Sequence, residues 1–147
     1  LDYGCGPGPA LARMLREAGH AVALYDPLFF NDPSVLDRPY DFITCTEVAE
    51  HFHRPAEEFV RLDRLLRPGG WLILEAFHPL QLQHTSGGPQ DAALLYTIDL
   101  LRADFAGLRE VLAFEGEVVL DEGPGHQGTA HVVRWLAQAP TDEGDNA

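Results

Sequence analysis

The chain has 147 residues, enough for one domain that buries about two-thirds of the surface its unfolded form would expose. Its net charge is -13 and all ten basic residues are arginines, so the protein repels phosphate backbones and anionic lipids, and we expect neither nucleic acid nor membrane as a partner. No apolar run approaches the roughly 18 residues of a membrane span, and no secretory signal is visible. Two cysteines do not make a disulfide scaffold, so we predict a cytoplasmic protein with reduced thiols.

Strand-like and helix-like segments alternate along the first hundred residues. A glycine-rich loop over residues 4–8 precedes a helical pattern that Gly19 ends. The apolar face of this helix is predicted to comprise Leu11, Met14, Leu15 and Ala18. Residues 20–27 and 40–46 are then predicted to be short buried strands, the first of which ends at Asp26.

The clearest helix covers residues 54–70, with Pro55 in its first turn and Gly69-Gly70 at its end. A strand over 71–77, a loop and a helix over about 91–103 follow. Two strands over 110–123 and 131–138, joined by a glycine-rich turn, predict an antiparallel hairpin. This alternation predicts an α/β sandwich with a mostly parallel sheet, forming a single domain over 1–138 with an acidic flexible tail over 139–147.

The glycine loop reads D-x-G-x-G-x-G from Asp2 to Gly8. The G-x-G-x-x-G fingerprint of dinucleotide-binding proteins fails here, because its third glycine would fall on Pro9 or on Leu11. A P-loop fails because the chain has no lysine. Together with Asp26 at the end of the next strand, the motif resembles that of class I S-adenosylmethionine-dependent methyltransferases. The segments "YDFITCTEVAEHF" and "LRPGGWLIL" are similar to later parts of the same family.

The resemblance implies a Rossmann-like sheet of order 3-2-1-4-5-7-6 and S-adenosylmethionine as the cofactor. It also implies that the glycine loop holds the methionine part of the cofactor and that Asp26 binds the ribose hydroxyls. The residues that it places at the cofactor are Asp2, Gly4, Cys5, Gly6, Gly8, Asp26, Pro27, Thr46 and Glu47. Tyr40 follows Asp26 by only 14 positions, too few for the family's usual helix, strand and loop, so the adenine contact stays open between Asp32 and Asp37.

Candidate catalytic bases lie just after the predicted strands: Glu47, Glu50 and His51 after one strand and His78 after the next. Of these, we predict His51 and His78 to be catalytic. Glu47, Glu50 and His51 have an E-x-x-E-H spacing that resembles the metal site of small-RNA 3′-terminal methyltransferases and of some quinone O-methyltransferases. The same motif recurs in metal-free members, and three ligands lack an identified fourth, so we predict no metal. Cys5 and Cys45 are predicted to be small, buried and unreactive.

The expected function is methyl transfer to a small molecule. Segments of the back half, "SGGPQDAALLYTIDLLRADFAGL" and "DEGPGHQGTAHVVR", resemble tellurite-resistance-type methyltransferases, whereas "CTEVAEHFHRP" is similar to a different branch, which leaves the acceptor open. Two alternatives are a non-catalytic or regulatory domain that binds S-adenosylmethionine and a metal-assisted RNA-terminal methyltransferase. The negative charge disfavours the second. The oligomeric state stays unassigned.

The chain begins at Leu1, close to the Gly4 turn. The resemblance implies that the first strand is central, longer and preceded by a helix. We therefore expect the 147 residues to be a fragment whose front end is missing, with marginal stability and weak or absent catalysis.

Overall fold

A computed structural model of the chain describes residues 1–142. Its strands are β1 (Asp2–Tyr3), β2 (Leu24–Tyr25), β3 (Tyr40–Thr46), β4 (Leu66–Phe77), β5 (Arg109–Asp121) and β6 (Gln127–Gln138). Its helices are α1 (Ala10–Glu17), α2 (Pro55–Arg64) and α3 (Ile98–Asp104). Four short 3₁₀ turns cover Pro33–Asp37, Ala49–His51, Pro79–Gln83 and Ala92–Leu94.

The six strands form one sheet in the order β2-β1-β3-β4-β6-β5. The first four of these strands are parallel, with Asp2 opposite Leu24 and Ile43 opposite Leu72. β6 runs antiparallel to β4 and to β5, and the β5–β6 pair forms the predicted C-terminal hairpin. The predicted fold class, an α/β Rossmann-like sandwich, is confirmed.

The strand order differs from the predicted one at one edge of the sheet. The order 3-2-1-4-5-7-6 has a strand outside the second, whereas within residues 1–142 the sheet ends at β2. Between β2 and β3 the chain forms the 3₁₀ turn Pro33–Asp37 instead. The segment is too short to cross the sheet as a helix and return as another strand.

Helix α2 begins at Pro55 as predicted but ends at Arg64, well before Gly70. The chain then enters β4 at Leu66, which pairs with Tyr40, and bulges before Trp71 pairs with Phe42. A Cβ at Gly70 would lie 3.0 Å from the carbonyl oxygen of Tyr40, so this bulge requires glycine. The glycines therefore shape a strand rather than end a helix.

The helix predicted over 91–103 is broken into two parts. Asp91 accepts a hydrogen bond from the Ala93 amide and caps the turn Ala92–Leu94. Thr97 accepts one from the Leu100 amide and caps α3, which ends at Asp104. A capping side chain between two apolar runs starts a new helix, because it satisfies the first free amides.

Helix α1 matches its predicted position but not its predicted buried face. Ala12 is fully buried, whereas Met14 is 63% exposed and Ala18 is exposed. The buried side is centred on Ala12 and flanked by Leu11 and Leu15, which are half-buried. Spacing gives the period of an amphipathic helix but does not fix which neighbouring residues touch the sheet.

The main core lies where α2 and α3 pack against the sheet, and it includes Phe59, Leu62, Leu101, Phe105 and Trp135. At the start of the predicted tail, Ala139 and Pro140 still hydrogen-bond to the Gly69–Gly70 bulge. Residues 143–147 of that tail lie outside the described residues, so the flexible tail stays a prediction. Between Leu1 and Asp142, no helix is long and apolar enough to cross a membrane.

Candidate functional site

The glycine loop leaves β1 at the edge of the sheet where the parallel strands end. Gly4 has a φ of 78°, and its amide donates to the Tyr25 carbonyl over 2.8 Å. A Cβ at Gly4 would lie 2.2 Å from Cγ2 of Val48, in the loop after β3. Gly4 is therefore required for a close contact between two loops of the protein itself.

Gly6 and Gly8 have a different environment. A Cβ added at either position would meet no atom within 4 Å. The Gly6 amide donates to Oδ2 of Asp26 over 3.0 Å, which brings the loop to the end of β2. The backbone here borders open space at the carboxyl ends of parallel strands, where ligands of such sheets bind. This is the geometry that a closely held ligand needs.

Asp26 is 7% exposed and organises the loop that follows it. Its Oδ1 accepts hydrogen bonds from the amides of Leu28 and Phe29, and Oδ2 accepts the one from Gly6. A carboxylate offers about four acceptor positions, so one is left for a ligand hydroxyl. Pro27 is exposed at the start of this turn.

Asp2 and Cys45 lie in the strands next to the loop, and Cys5 lies in the loop itself. The Thr44 hydroxyl donates to Oδ1 of Asp2 over 2.9 Å, and burial raises the pKa of this carboxyl. Asp2 therefore joins β1 to β3. Burial and the charges of Asp2 and Asp26 raise the pKa of Cys5 to about 11, and burial raises that of Cys45 as well. Both side chains are therefore protonated thiols at neutral pH. Cys45 is buried as predicted, whereas Cys5 is only half-buried because it lies in the loop, and their lack of reactivity stays a prediction.

Thr46 is the last residue of β3, and Glu47 follows it beside the loop. Thr46 is half-buried and pairs with Glu75 in β4. Glu47 has a φ of 55°, a left-handed conformation that no other non-glycine residue adopts between Leu1 and Asp142. Burial, together with the neighbouring Glu122 carboxyl, raises the pKa of Glu47 to about 7. Strained backbone of this kind is typical of functional loops.

The turn Ala49–His51 contains the two remaining residues of the E-x-x-E-H motif, Glu50 and His51. Glu50 is 2% exposed, and neither of its carboxylate oxygens has a hydrogen-bond partner. His51 is exposed. Glu47, Glu50 and His51 do not form one of the groups of closely spaced metal-ligand atoms found within the described part of the chain.

His78 follows β4, two strands away from β1 and hence about 10 Å along the same edge. Its side chain is 13% exposed, and Nδ1 accepts a hydrogen bond from the Leu80 amide. The centroid of the His131 ring lies 4.6 Å from that of the His78 ring, and Oε1 of Glu115 lies 3.9 Å from Nε2 of His78. Burial and His131 lower the pKa of His78.

The two candidates for the adenine contact lie in or beside the 3₁₀ turn after β2. Asp32 caps that turn by accepting hydrogen bonds from the amide and hydroxyl of Ser34, which lower its pKa. Asp37 is exposed at the end of the turn. The assignment between them stays open.

Sequence reasoning missed two groups of titratable side chains that the β5–β6 hairpin brings to this edge. One comprises Glu47, Glu122 and His126, and the other comprises His84, Glu117 and His131. In the first group, Nδ1 of His126 lies 3.5 Å from Oε1 of Glu47. The available signal was the acidic Glu117 and Glu122 before the glycine-rich turn and the histidines His126 and His131 after it, but its use required the register of the hairpin.

The family model described as "Methyltransferase domain" matches residues 1–95. The chain belongs to this family of methyltransferase domains. The predicted relationship to class I methyltransferases is therefore confirmed. No curated protein matches this methyltransferase domain at a significant level.

Solved structures share the fold of this methyltransferase domain at low sequence identity. One is the 1,6-didemethyltoxoflavin-N1-methyltransferase of Burkholderia thailandensis, solved with 1,6-didemethyltoxoflavin and S-adenosylhomocysteine. It is 19% identical to this chain with a TM-score of 0.63, and the match covers 95% of this chain and 69% of that one. The N-methyltransferase NodS of Bradyrhizobium japonicum is 12% identical, with a TM-score of 0.55 and coverages of 95% and 84%. TehB of Haemophilus influenzae is 18% identical, with a TM-score of 0.53 and coverages of 88% and 45%.

Proposed function

We propose that this methyltransferase domain transfers a methyl group from S-adenosylmethionine to a small-molecule acceptor. The observation that carries the proposal is the open space beside the backbone of Gly6 and Gly8, next to Asp26 at the end of β2. S-adenosylmethionine supplies a methyl group that its sulfonium has already activated. The toxoflavin enzyme and NodS, which share the fold, were each solved with S-adenosylhomocysteine, the product left after methyl transfer.

Different residues of the chain are proposed to bind different parts of the cofactor. The backbone of Gly6 and Gly8 lets the methionine part approach closely, because no side chain fills that space. Asp26 uses its free acceptor position for a ribose hydroxyl. Pro27, Thr46 and Glu47 line the same edge, and Cys5, whose thiol is uncharged, is part of the loop itself.

The acceptor is proposed to bind beyond the end of β3 and β4. Because Nδ1 of His78 accepts a hydrogen bond from Leu80, its neutral ring carries the proton on Nε2 and donates from there. His78 therefore orients an acceptor oxygen or nitrogen, and the exposed His51 is the proposed proton acceptor. A net charge of -13 favours a small molecule over RNA at this edge.

Calorimetric titration with S-adenosylhomocysteine tests the cofactor site. Gly8→Ala places a methyl group in the open space and should weaken binding at least tenfold. Gly107→Ala is the matched control, since its Cβ also meets no atom within 4 Å and neither glycine has a positive φ. Equal affinity of both variants and the parent would show that the ligand does not lie against Gly8. NADH should not bind.

A second measurement separates the enzyme from a non-catalytic binding domain. The chain is incubated with labelled S-adenosylmethionine and a metabolite extract, and methylated products are identified by mass spectrometry. A labelled product that is lost in the Gly8→Ala variant supports catalysis. Binding of S-adenosylhomocysteine without any labelled product would favour the non-catalytic alternative.

A further inference from the structure

Three segments bring two imidazoles and one carboxylate together at the hairpin. His84 follows the turn Pro79–Gln83, Glu117 lies in β5 and His131 lies in β6. Glu117 and His131 are register partners, so their side chains project from the same face of the hairpin. None of the three belongs to the proposed cofactor site.

The spacing of these side chains fits a metal ion. One ligand atom from each residue lies within 4.8 Å of the other two. Nε2 of His84 is 3.4 Å from Oε1 of Glu117. A tetrahedral ion with bonds of about 2.1 Å holds its ligand atoms about 3.4 Å apart. The imidazole of His131 completes such a set by a small side-chain movement.

A buried polar network fixes the loop that carries His84. The side-chain amide of Gln81, which is fully buried, donates to Oγ of Ser86 and to the Gly87 carbonyl. Its Oε1 accepts the amide of His131 over 2.7 Å, and the Ser86 hydroxyl donates to the Thr129 carbonyl over 2.6 Å. The network ties the loop of one imidazole to the strand of the other, so the ligand set is held in place by the protein.

We propose that His84, Glu117 and His131 bind a divalent first-row transition-metal ion. Two imidazole nitrogens and one carboxylate oxygen suit Zn²⁺, Co²⁺ or Fe²⁺ better than Mg²⁺ or Ca²⁺, which prefer oxygen ligands. Three protein ligands leave at least one coordination position open. The His131 ring is 4.6 Å from that of His78, which places the ion on the acceptor side of the proposed active site.

Metal binding tests the proposal without any measurement of methyl transfer. The chain is first treated with a chelator and desalted, then titrated with Zn²⁺ in a calorimeter and with Co²⁺ while its visible absorption is recorded. We expect one equivalent of each ion and a rise in Tm on binding. His84→Ala and Glu117→Gln should each weaken binding at least tenfold, while the Tm of the metal-free protein changes little.

Two histidine variants serve as matched controls. His20→Ala removes an exposed imidazole at the end of α1, and His126→Ala removes the imidazole of the other group. Both should bind Zn²⁺ as the parent does. Absence of stoichiometric binding by the parent would overturn the proposal, as would binding that survives in His84→Ala and Glu117→Gln. Affinity for S-adenosylhomocysteine, measured on the same proteins, reports on the cofactor site separately.

Discussion

Replacing Glu50 by glutamine should make the stability of the protein less dependent on pH. Glu50 is 2% exposed, and its carboxylate oxygens have no hydrogen-bond partner. Burial, and after it the charges of Glu47 and Glu75, raises the pKa of Glu50 from 4.5 to about 7, although its own backbone amide offsets part of the rise. Folding therefore favours the protonated carboxyl.

The direction and size of the effect follow from this difference in pKa. Below pH 4.5, Glu50 is neutral in both the folded and the unfolded chain, so burial carries no charge penalty. Between pH 4.5 and about 7 the unfolded chain releases a proton that the folded chain keeps, and the free energy of unfolding falls as pH rises. Above about pH 7 this decrease in the free energy of unfolding is complete and amounts to about 3 kcal/mol. Domains typically have a free energy of unfolding of roughly 5–15 kcal/mol, so the decrease is a large part of it.

Urea denaturation of the parent and Glu50→Gln at pH 4.5, 6, 7 and 8 measures the effect. Glutamine has nearly the shape of the protonated acid and does not titrate, so any cost of burying its amide is the same at each pH. The stability of the variant relative to the parent should therefore rise by about 3 kcal/mol between pH 4.5 and pH 8. A difference that stays constant with pH for Glu50→Gln would refute the reasoning, because it would mean that water solvates this carboxylate.

Two further predictions concern the glycine loop and its neighbours. Gly4→Ala should lower the free energy of unfolding by about 2–4 kcal/mol, because alanine is strained at a φ of 78° and its Cβ overlaps Val48. Adding Val48→Ala should recover part of this loss, whereas full stability of Gly4→Ala in urea denaturation would contradict the contact with Val48. Asp26→Ala should weaken binding of S-adenosylhomocysteine by about 1–3 kcal/mol in calorimetry, since the proposed ribose contact loses its acceptor. Affinity equal to that of the parent would remove Asp26 from the proposed ribose site.

The sequence predicted correctly those helix ends that a single proline or glycine determines. Pro55 starts α2 and Gly19 ends α1, because each position needs the conformation that its residue supplies. The end of α2 was predicted wrongly because the pairing of Leu66 with Tyr40 depends on a strand some 26 positions away. Only the assembled sheet shows that residues 66–70 belong to a strand.

Part of the candidate site could likewise be predicted from the sequence, and part could not. The motif from Asp2 to Gly8 and the position of Asp26 identified the edge of the sheet, because the βα order of the chain fixes where parallel strands end. The pairing of Glu117 with His131 could not be predicted, since it depends on the exact length of the turn between β5 and β6. The three hydrogen bonds that Asp26 accepts were equally invisible, because they follow from the path of the backbone after Pro27.

The contact between the hairpin and Glu47 bears on how such a domain diversifies. The family match ends at residue 95, whereas the hairpin that brings His126 to Glu47 lies wholly beyond it. The segment that carries the glycine loop thus lies within the family match, and the side chains that face Glu47 from the hairpin lie outside it. If β5 and β6 of another protein replaced those of this chain, Glu47 would face different side chains while the glycine loop stayed the same.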